Sequence, residues 1–408
     1  MTLPILPRAP AGEAPIARRD PRPGLSGVEP AELRSWLVAR DMPAWRTRQV
    51  FDALWRGTAA STDDVRTLPG PLRAAIAEAF RFDTVGDTEI RLSDGGLTEK
   101  ALHQLSDGAL VESVLMHYPA RGRQRERHTL CISSQAGCAV GCPFCATGEL
   151  GFTRDLETAE ILDQVRHAAR RIALDGRRLT NVVFMGMGEP LLNLDNVLAA
   201  VAALSDPARF GLGARHVTVS TSGVVPGIER LTALGPQFTL AVSLHAARDP
   251  LRDALVPLNR RWPVADVVRA AREHARATGR RITYEVTMID GINDTPGDAA
   301  ALAALLAGDH AHVNLIPMNP VAHTPWQASA MPVIEGFAAK LRASGISTTI
   351  RRNRGQEIGA ACGQLAAERA GEPTAPAVAH RRERIVRESA AALRGERSRE
   401  PLASGVGD

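Results

Sequence analysis

Apolar residues recur at helical spacing in three short segments near the start of the chain. The three stripes are Leu33, Trp36 and Leu37; Val50, Phe51, Leu54 and Trp55; and Leu72, Ile76 and Phe80. Residues three or four apart share one face of a helix, so the stripes predict the core of a small helical domain over residues 25–85. Pro30 stands in the first turn of the first helix, where a missing N–H costs nothing.

The period changes to two between residues 86 and 120. Apolar and polar residues alternate there, and the alternation is interrupted by Asp94-Gly95 and by Asp107-Gly108. Asp-Gly is a strong signal for a tight hairpin turn. This segment therefore predicts three antiparallel strands, followed by an arginine-rich loop at residues 121–128.

Strand-like and helix-like segments alternate through the rest of the chain. The strand-like runs are 129–133, 180–185, 216–221, 239–244, 282–288, 312–316 and 346–351, and the helical patterns are 157–174, 194–205, 226–234, 264–278, 297–307 and 331–344. Such alternation predicts an α/β fold with a parallel sheet. An open doubly wound sheet and a partial or complete barrel remain equally compatible with it, and both place functional loops after the carboxyl ends of strands.

Composition indicates a folded protein of several units. The 408 residues are 44% hydrophobic and 23% charged, with a formal net charge of +4. No run approaches the roughly 18 apolar residues of a membrane span, and the first residues do not resemble a secretory signal. We expect a flexible leader over 1–24, a catalytic domain over 121–365 and a flexible tail over 366–408 with one loose helix near 379–393. Five cysteines, three of them clustered, favour a metal or redox site in the cytoplasm.

The clustered cysteines are Cys138, Cys142 and Cys145, in the pattern C-x3-C-x2-C after the first strand of the alternating series. Structural zinc sites usually have four protein ligands, and no second ligand pair follows. Thiolates hold iron–sulfur clusters, and three thiolates leave one iron of a cubane open to a ligand. A zinc site completed by a histidine or by Cys362 remains an alternative.

This motif, with Phe144 before the third cysteine, resembles the radical S-adenosylmethionine (SAM) superfamily. The longer strings TLCISSQAGCAVGCPFCATGELGFTRDL, FMGMGEPLLN, SLHA, VNLIPMNP and IRRNRGQEIGAACGQL resemble the RlmN family, ribosomal RNA adenine-C2 methyltransferases that also modify transfer RNA. The resemblance covers residues 27–365. It implies a partial or complete parallel (βα) barrel, a [4Fe-4S] cluster and SAM as cofactors, 23S rRNA and tRNA as substrates, and an electron donor such as flavodoxin or ferredoxin.

The resemblance also implies residues for the cofactor. Cys138, Cys142 and Cys145 would ligate the cluster. The residues implied to bind SAM follow successive strands: Gly188, Glu189, Ser220, Ser243, Leu244, His245 and Asn319. A carboxylate such as Glu189 can accept hydrogen bonds from an amino group, and a glycine beside it permits close backbone approach.

Two cysteines outside the cluster are assigned by the same resemblance. Cys362 would be methylated by a first SAM, and a radical made from a second SAM would take hydrogen from that methyl group, which then adds to adenine C2. Glu112 would accept the C2 proton. Cys131 would release the product by forming a transient disulfide with Cys362.

Two departures from the family pattern and three alternatives accompany this prediction. The arginine-rich loop is inserted between Glu112 and Cys131, and QEIG (356–359) replaces a usually acidic segment. The alternatives are a sister family that methylates adenosine C8, another radical SAM reaction, and a zinc-stabilised RNA-binding module without catalysis.

Arginines of the helical domain and of the 121–128 loop are predicted to contact RNA phosphates.

Overall fold

The protein is described from a computed structural model. It describes residues 19–322, 324–367, 383–384 and 387. The first 18 residues of the predicted leader, and most of the tail with all but residues 383–384 and 387 of its predicted helix, lie outside the described residues. Contacts divide the chain into two compact units: residues 19–137 with Phe152–Val219 form the first, and Cys138–Gly151 with Ser220–Ala366 form the second.

The helices and strands follow the predicted order closely. The helices are α1 Pro30–Val38, α2 Arg46–Trp55, α3 Gly70–Ala79, α4 Ala146–Leu150, α5 Thr158–Ala173, α6 Leu194–Ser205, α7 Val225–Leu234, α8 Asp249–Leu255, α9 Val264–Thr278, α10 Pro296–Leu305 and α11 Met331–Ala343. The strands are β1 Gly86–Ser93, β2 Thr98–Gln104, β3 Leu110–Tyr118, β4 Arg127–Cys131, β5 Gln135–Gly137, β6 Phe152–Asp155, β7 Asn181–Phe184, β8 Val217–Thr221, β9 Thr239–Ser243, β10 Ile282–Met288, β11 Ala311–Pro317 and β12 Ser347–Ile350.

The three predicted helical stripes are α1, α2 and α3. Leu33, Leu37, Val50, Leu72 and Ile76 are buried, as the helical spacing requires. Pro30 occupies the first turn of α1. The small helical domain is therefore confirmed, although its predicted boundaries and those of the other domains stay a prediction.

In the first unit, antiparallel strands join a parallel sheet. β1 pairs with β2, β2 with β3 and β3 with β4, all antiparallel. β4 then pairs in parallel with β7, and β7 with β8. The arginine-rich loop between β3 and β4 contains a tight turn, in which Arg121 and Gln124 exchange two backbone hydrogen bonds and Gly122 has φ of +56°.

In the second unit, β9, β10, β11 and β12 form a parallel sheet in that order. The crossover helices bury one apolar face each, with Val267, Val268 and Ala271 of α9 among the fully buried residues. The predicted parallel α/β class is confirmed within each unit. A parallel sheet requires such crossovers because consecutive strands must start from the same edge.

Three further features were not predicted. β5 and β6 form a two-stranded antiparallel hairpin, and α4 and α8 add two short helices. Each of these elements has at most seven residues, which is too short for a hydrophobic period to be seen in the sequence. Among the described residues, no helix is long and apolar enough to cross a lipid bilayer.

Candidate functional site

The three clustered cysteines lie on one loop of the second unit. The backbone N–H of Cys138 donates to the Gly151 carbonyl at 2.7 Å, and that of Cys145 donates to the Cys142 carbonyl at 3.1 Å. All three side chains are half-buried and none forms a disulfide. The loop thus presents three thiols while its backbone is fixed by its own hydrogen bonds.

Gly148 allows α4 to pack against this loop. A Cβ atom at Gly148 would lie 2.9 Å from the carbonyl oxygen of Cys142 and 3.0 Å from its nitrogen. Real Cβ atoms do not approach backbone that closely, so only glycine fits. The close contact keeps the Cys142 backbone in place.

Burial raises the pKa of the Cys145 thiol. Hydrogen bonds from the backbone N–H groups of Gly148 and Thr147 and from the Thr147 hydroxyl act in the opposite direction, whereas nearby Cys362 adds to the increase. Burial outweighs these donors, so the net shift favours the neutral thiol, and the donors at the start of α4 offset only part of it.

The cysteine arrangement fits a cluster better than a single ion. Among the described residues, no three His, Cys, Asp or Glu side chains converge closely enough for one metal ion. In a four-iron cluster each thiolate binds a different iron, so the ligands need not converge on a point. Cys138, Cys142 and Cys145 would hold such a cluster.

The segment containing Cys362 is hydrogen-bonded to the cysteine loop. The Ala146 N–H donates to the Gly363 carbonyl at 2.7 Å, and the Thr147 hydroxyl donates to the Leu365 carbonyl at 2.7 Å. A Cβ at Gly363 would lie 3.1 Å from the Phe144 carbonyl oxygen, and its φ is +82°. Cys362 is thereby fixed beside the residues that would hold the cluster.

Two side chains contact Cys362, and a third supports one of them. Arg351 Nη1 lies 3.4 Å from its Sγ, and Asn319 Nδ2 donates to its carbonyl oxygen at 2.9 Å. Gln356, in the divergent QEIG segment, donates to Asn319 Oδ1 at 2.7 Å. Asn319, expected to contact SAM, is here part of the support of Cys362. Arg351 was not singled out from the sequence, and Gln356 was noted only as part of the divergent QEIG segment.

The remaining residues predicted to bind SAM in this unit lie at the ends of strands. Ser220 is in the last part of β8, Ser243 ends β9, and Leu244 and His245 follow it. The N–H groups of Leu244 and His245 both donate to the Glu285 carbonyl on β10. The carboxyl ends of the parallel strands thus carry these residues, as predicted.

His245 is buried and neutral. Its ring packs on Phe144, with ring centroids 4.7 Å apart, and its Nδ1 accepts a hydrogen bond from the Thr287 N–H. Burial, with a smaller contribution from Arg252, lowers the pKa of His245 to about 3. The neutral ring therefore has its proton on Nε2, and its backbone takes the unusual φ of +61°.

Arg252, which was not singled out from the sequence, supports the backbone after β8 and at the end of β9. The side chain is fully buried and donates to the carbonyls of Ser222, Ser243 and Leu244. Buried guanidinium groups are kept where several acceptors converge. Its role is to hold the loop, and no local pattern in the sequence marks it.

Gly188 and Glu189 lie in the first unit, in the loop after β7. Gly188 has φ of +99°, and a Cβ there would lie 2.5 Å from Cβ of Gln135. The Glu189 N–H donates to Gln135 Oε1 at 2.8 Å, and Glu189 Oε1 accepts from the Leu191 N–H at 3.0 Å. The Glu189 side chain is buried, whereas a glutamate in a glycine-rich turn is usually exposed.

Glu112 is a fully buried carboxylate on β3, also in the first unit. Its Oε1 lies 2.8 Å from Nζ of Lys100 on the neighbouring strand β2. The Ser133 hydroxyl donates to the Glu112 carbonyl at 2.6 Å and accepts from the Met187 N–H. Lys100 was not predicted as part of the site. Its rarity is the one feature of the sequence that could have pointed to it, because the chain has only two lysines.

Cys131 ends β4 and is buried. It stands opposite Val114 of β3 and Val183 of β7 in the sheet. The second unit thus brings together the three clustered cysteines, Cys362 and five of the seven residues predicted to bind SAM. Cys131, Glu112, Gly188 and Glu189 belong to the first unit.

Comparisons with known proteins agree on a family. Residues 132–303 match the radical SAM superfamily. Over 367 residues the chain is 50% identical to a "Probable dual-specificity RNA methyltransferase RlmN" of Frankia alni, covering 87% of this chain and 86% of the relative. A protein of the same description from Thermobifida fusca is 47% identical over 358 residues, with 86% and 96% covered.

A solved structure has the same fold. It is a radical SAM methyltransferase from Sphaerobacter thermophilus, which aligns with a TM-score of 0.82 at 45% identity. The alignment covers 85% of this chain and all of that one. The alternative of a zinc-stabilised module without catalysis is wrong, because the relatives at 47–50% identity reported above are described as RNA methyltransferases.

Proposed function

Since the chain belongs to the RlmN family of RNA methyltransferases in the radical SAM superfamily, we propose that it methylates C2 of a specific adenosine in 23S rRNA and in tRNA. It is a SAM-dependent RNA methyltransferase that uses a [4Fe-4S] cluster. The proposal adds the ring position, the two RNA classes and the roles of individual residues. It also places the reaction in the cytoplasm, with flavodoxin or ferredoxin as the electron donor.

The observation that carries the proposal is the attachment of Cys362 to the cysteine loop. Two hydrogen bonds from Ala146 and Thr147 fix the segment around Cys362 beside the residues that would bind the cluster. Adenine C2 is an electron-poor aromatic carbon, so direct nucleophilic methyl transfer does not reach it. A cysteine that holds the methyl group next to the cluster allows that group to be activated as a radical, which can add to C2.

SAM and the [4Fe-4S] cluster, when bound, supply the methyl group and the radical that activates it. Cys138, Cys142 and Cys145 hold the cluster, and Cys362 carries the methyl group to the base. The SAM contacts we propose are Gly188, Glu189, Ser220, Ser243, Leu244, His245 and Asn319. Arg351, at 3.4 Å from the sulfur, positions Cys362.

Two residues complete the reaction once the new carbon–carbon bond has formed. Glu112 accepts the proton that leaves C2, and the unpaired electron of the adduct passes to the flavodoxin or ferredoxin, which leaves a closed-shell thioether. The Cys131 thiolate then attacks the Cys362 sulfur, which forms an S–S bond and breaks the C–S bond to the transferred carbon. The electron pair of that bond remains on the carbon, which takes up a proton and becomes the methyl group.

Mass spectrometry of RNA from a strain lacking this gene tests the assignment. We expect one methyladenosine to be missing from 23S rRNA and one from tRNA, and both to return when the gene is restored. The restored nucleoside should match a 2-methyladenosine standard. An 8-methyladenosine instead would identify the sister activity and contradict the C2 assignment.

A further inference from the structure

A broad groove lies at the edge of the first unit where its parallel strands begin. It has a volume of about 910 Å³ and is bounded by the end of α2, the second half of α5, the first residues of β4 and β7, and the loop before β8. Cys131 and Glu189, in contrast, lie at the carboxyl ends of β4 and β7. β4 spans five residues, so at about 3.3 Å per residue its two ends are roughly 13 Å apart.

The lining of this groove is strongly basic. Its charged residues are Arg56, Arg125, Arg127, Arg166, Arg170, Arg177 and Arg178, with His128 and His216, against the single carboxylate Glu126. Clefts lined by one sign of charge concentrate ligands of the opposite sign.

Several of these arginines are free to bind a ligand. Arg125 and Arg178 are exposed, and neither forms an ion pair with another described residue. Arg127 is stacked over the ring of Tyr118 at 4.2 Å, which orients its guanidinium without neutralising it. The others are paired: Arg56 with Asp52, Arg166 with Asp163, Arg170 with Asp83 and Arg177 with Glu126.

Two buried donors on the lining lack an acceptor. Nη2 of Arg166 and Nε1 of Trp55 have no hydrogen-bond partner within the described part of the chain, although both side chains are more than nine-tenths buried. An unsatisfied buried donor costs about 1–3 kcal/mol. Both residues line the groove, and an anionic oxygen is the kind of acceptor that these donors lack, so this observation points to the same ligand chemistry as the charge.

We propose that this amino-end groove binds backbone phosphates of the substrate RNA, at a distance from the adenine that is methylated. The inference rests on the proposed function, because it takes RNA as the substrate. The groove is far larger than one phosphate group, and Arg125 and Arg178, which form no ion pair with other described residues, lie on two separate loops. A chain with repeated phosphates matches both features, and the opposite edge of the sheet remains available for the reacting base.

A double variant tests the proposal with the intact, cluster-loaded enzyme and a tRNA transcript. Arg125→Gln with Arg178→Gln removes two phosphate contacts, so the slope of log Kd against log salt should fall by roughly 1.5–2. Between 50 and 200 mM salt this corresponds to about tenfold less loss of affinity. The rate at saturating RNA should stay unchanged, because neither residue is near the carboxyl-end residues.

The matched control replaces two exposed arginines of the second unit, Arg260→Gln with Arg276→Gln, and should leave the salt slope unchanged. Trp55→Phe keeps an aromatic side chain but removes the unsatisfied donor, and should weaken RNA binding by about two- to fivefold. If the Arg125/Arg178 variant has the wild-type salt slope while the wild-type enzyme methylates the RNA, the groove does not bind RNA phosphates. The proposed function would stand. A wild-type enzyme that neither binds nor methylates RNA would overturn the proposed function as well.

Discussion

Arg351 Nη1 lies 3.4 Å from Sγ of Cys362, the thiol that we propose to carry the methyl group. Arg351 directly follows β12, and its charge acts on Glu285, a buried carboxylate that accepts a hydrogen bond from Asn314 Nδ2 at 2.8 Å. Burial raises the pKa of Glu285, whereas Arg351 and the Asn314 hydrogen bond act to lower it. Arg351 therefore connects a buried carboxylate to the reactive sulfur and holds a positive charge beside it.

Replacing Arg351 should slow the methylation of Cys362. A hydrogen bond to a charged group contributes about 1.5–3 kcal/mol, so Arg351→Gln should reduce the rate roughly ten- to hundredfold. Arg351→Lys should recover part of it. The measurement is the mass of the Cys362 peptide over time after SAM is added to anaerobic enzyme. The neighbouring Arg352 is exposed, and if Arg352→Gln slows the reaction equally, Arg351 has no special role.

The cluster ligands can be tested by metal content. Cys138→Ala, Cys142→Ala and Cys145→Ala should each abolish iron and sulfide binding and the cleavage of SAM, because the loop offers no spare ligand. Cys362→Ala is the matched control and should keep its iron. The measurement is the iron and sulfide content of each anaerobically purified protein. A Cys142→Ala protein with the wild-type content of iron and sulfide would contradict the ligand assignment.

The two remaining cysteines should fail at different stages. Cys362→Ala should form neither methylated protein nor methylated RNA. Cys131→Ala should still methylate Cys362 and attack the base, and then stall as a protein–RNA adduct, since no thiol can resolve the link. Denaturing electrophoresis detects this adduct. If both residues are only structural, each alanine should cost about 1–3 kcal/mol of stability and turnover should persist.

Gly188 should not tolerate a side chain. Alanine would place a Cβ 2.5 Å from Cβ of Gln135, at φ of +99°, so Gly188→Ala should lower the free energy of unfolding by about 1–3 kcal/mol. It should also weaken SAM binding, since Glu189 is held by the same Gln135. Gly336→Ala in α11, where a Cβ meets nothing within 4 Å, should instead stabilise the protein by about 0.5–1 kcal/mol. Chemical denaturation and SAM titration test both variants.

Acid should destabilise the first unit through His103. This buried ring contacts the hydroxyls of Thr88 and Ser113, and burial, with a smaller effect of His167, lowers its pKa to about 3. Between pH 6.5 and 3 the unfolded chain binds a proton that the folded chain does not, so stability falls as pH falls. The contribution is about 1.4 kcal/mol per pH unit below pH 6.

His103→Gln should remove that part of the pH dependence, as measured by chemical denaturation between pH 7.5 and 5. The exposed His310 provides the control, because His310→Gln should keep the wild-type dependence. A His103→Gln protein with an unchanged dependence would show that another group is responsible.

The order and type of nearly all long elements, and the cysteine loop, could be predicted from the sequence. It did so because these features are local: a hydrophobic period, an Asp-Gly turn or a C-x3-C-x2-C spacing is complete within a few residues. The short elements β5, β6 and α4 were not predicted, because each is too short to show a hydrophobic period.

The surroundings of the reactive residues, in contrast, are set by contacts between segments that are distant in the chain. Lys100 meets Glu112 across two strands, Arg351 meets Cys362 from another element, and Arg252 reaches three carbonyls from α8. The basic groove likewise unites residues from 56 to 216. Burial and partner choice depend on which distant segments pack together, and no local pattern records that choice.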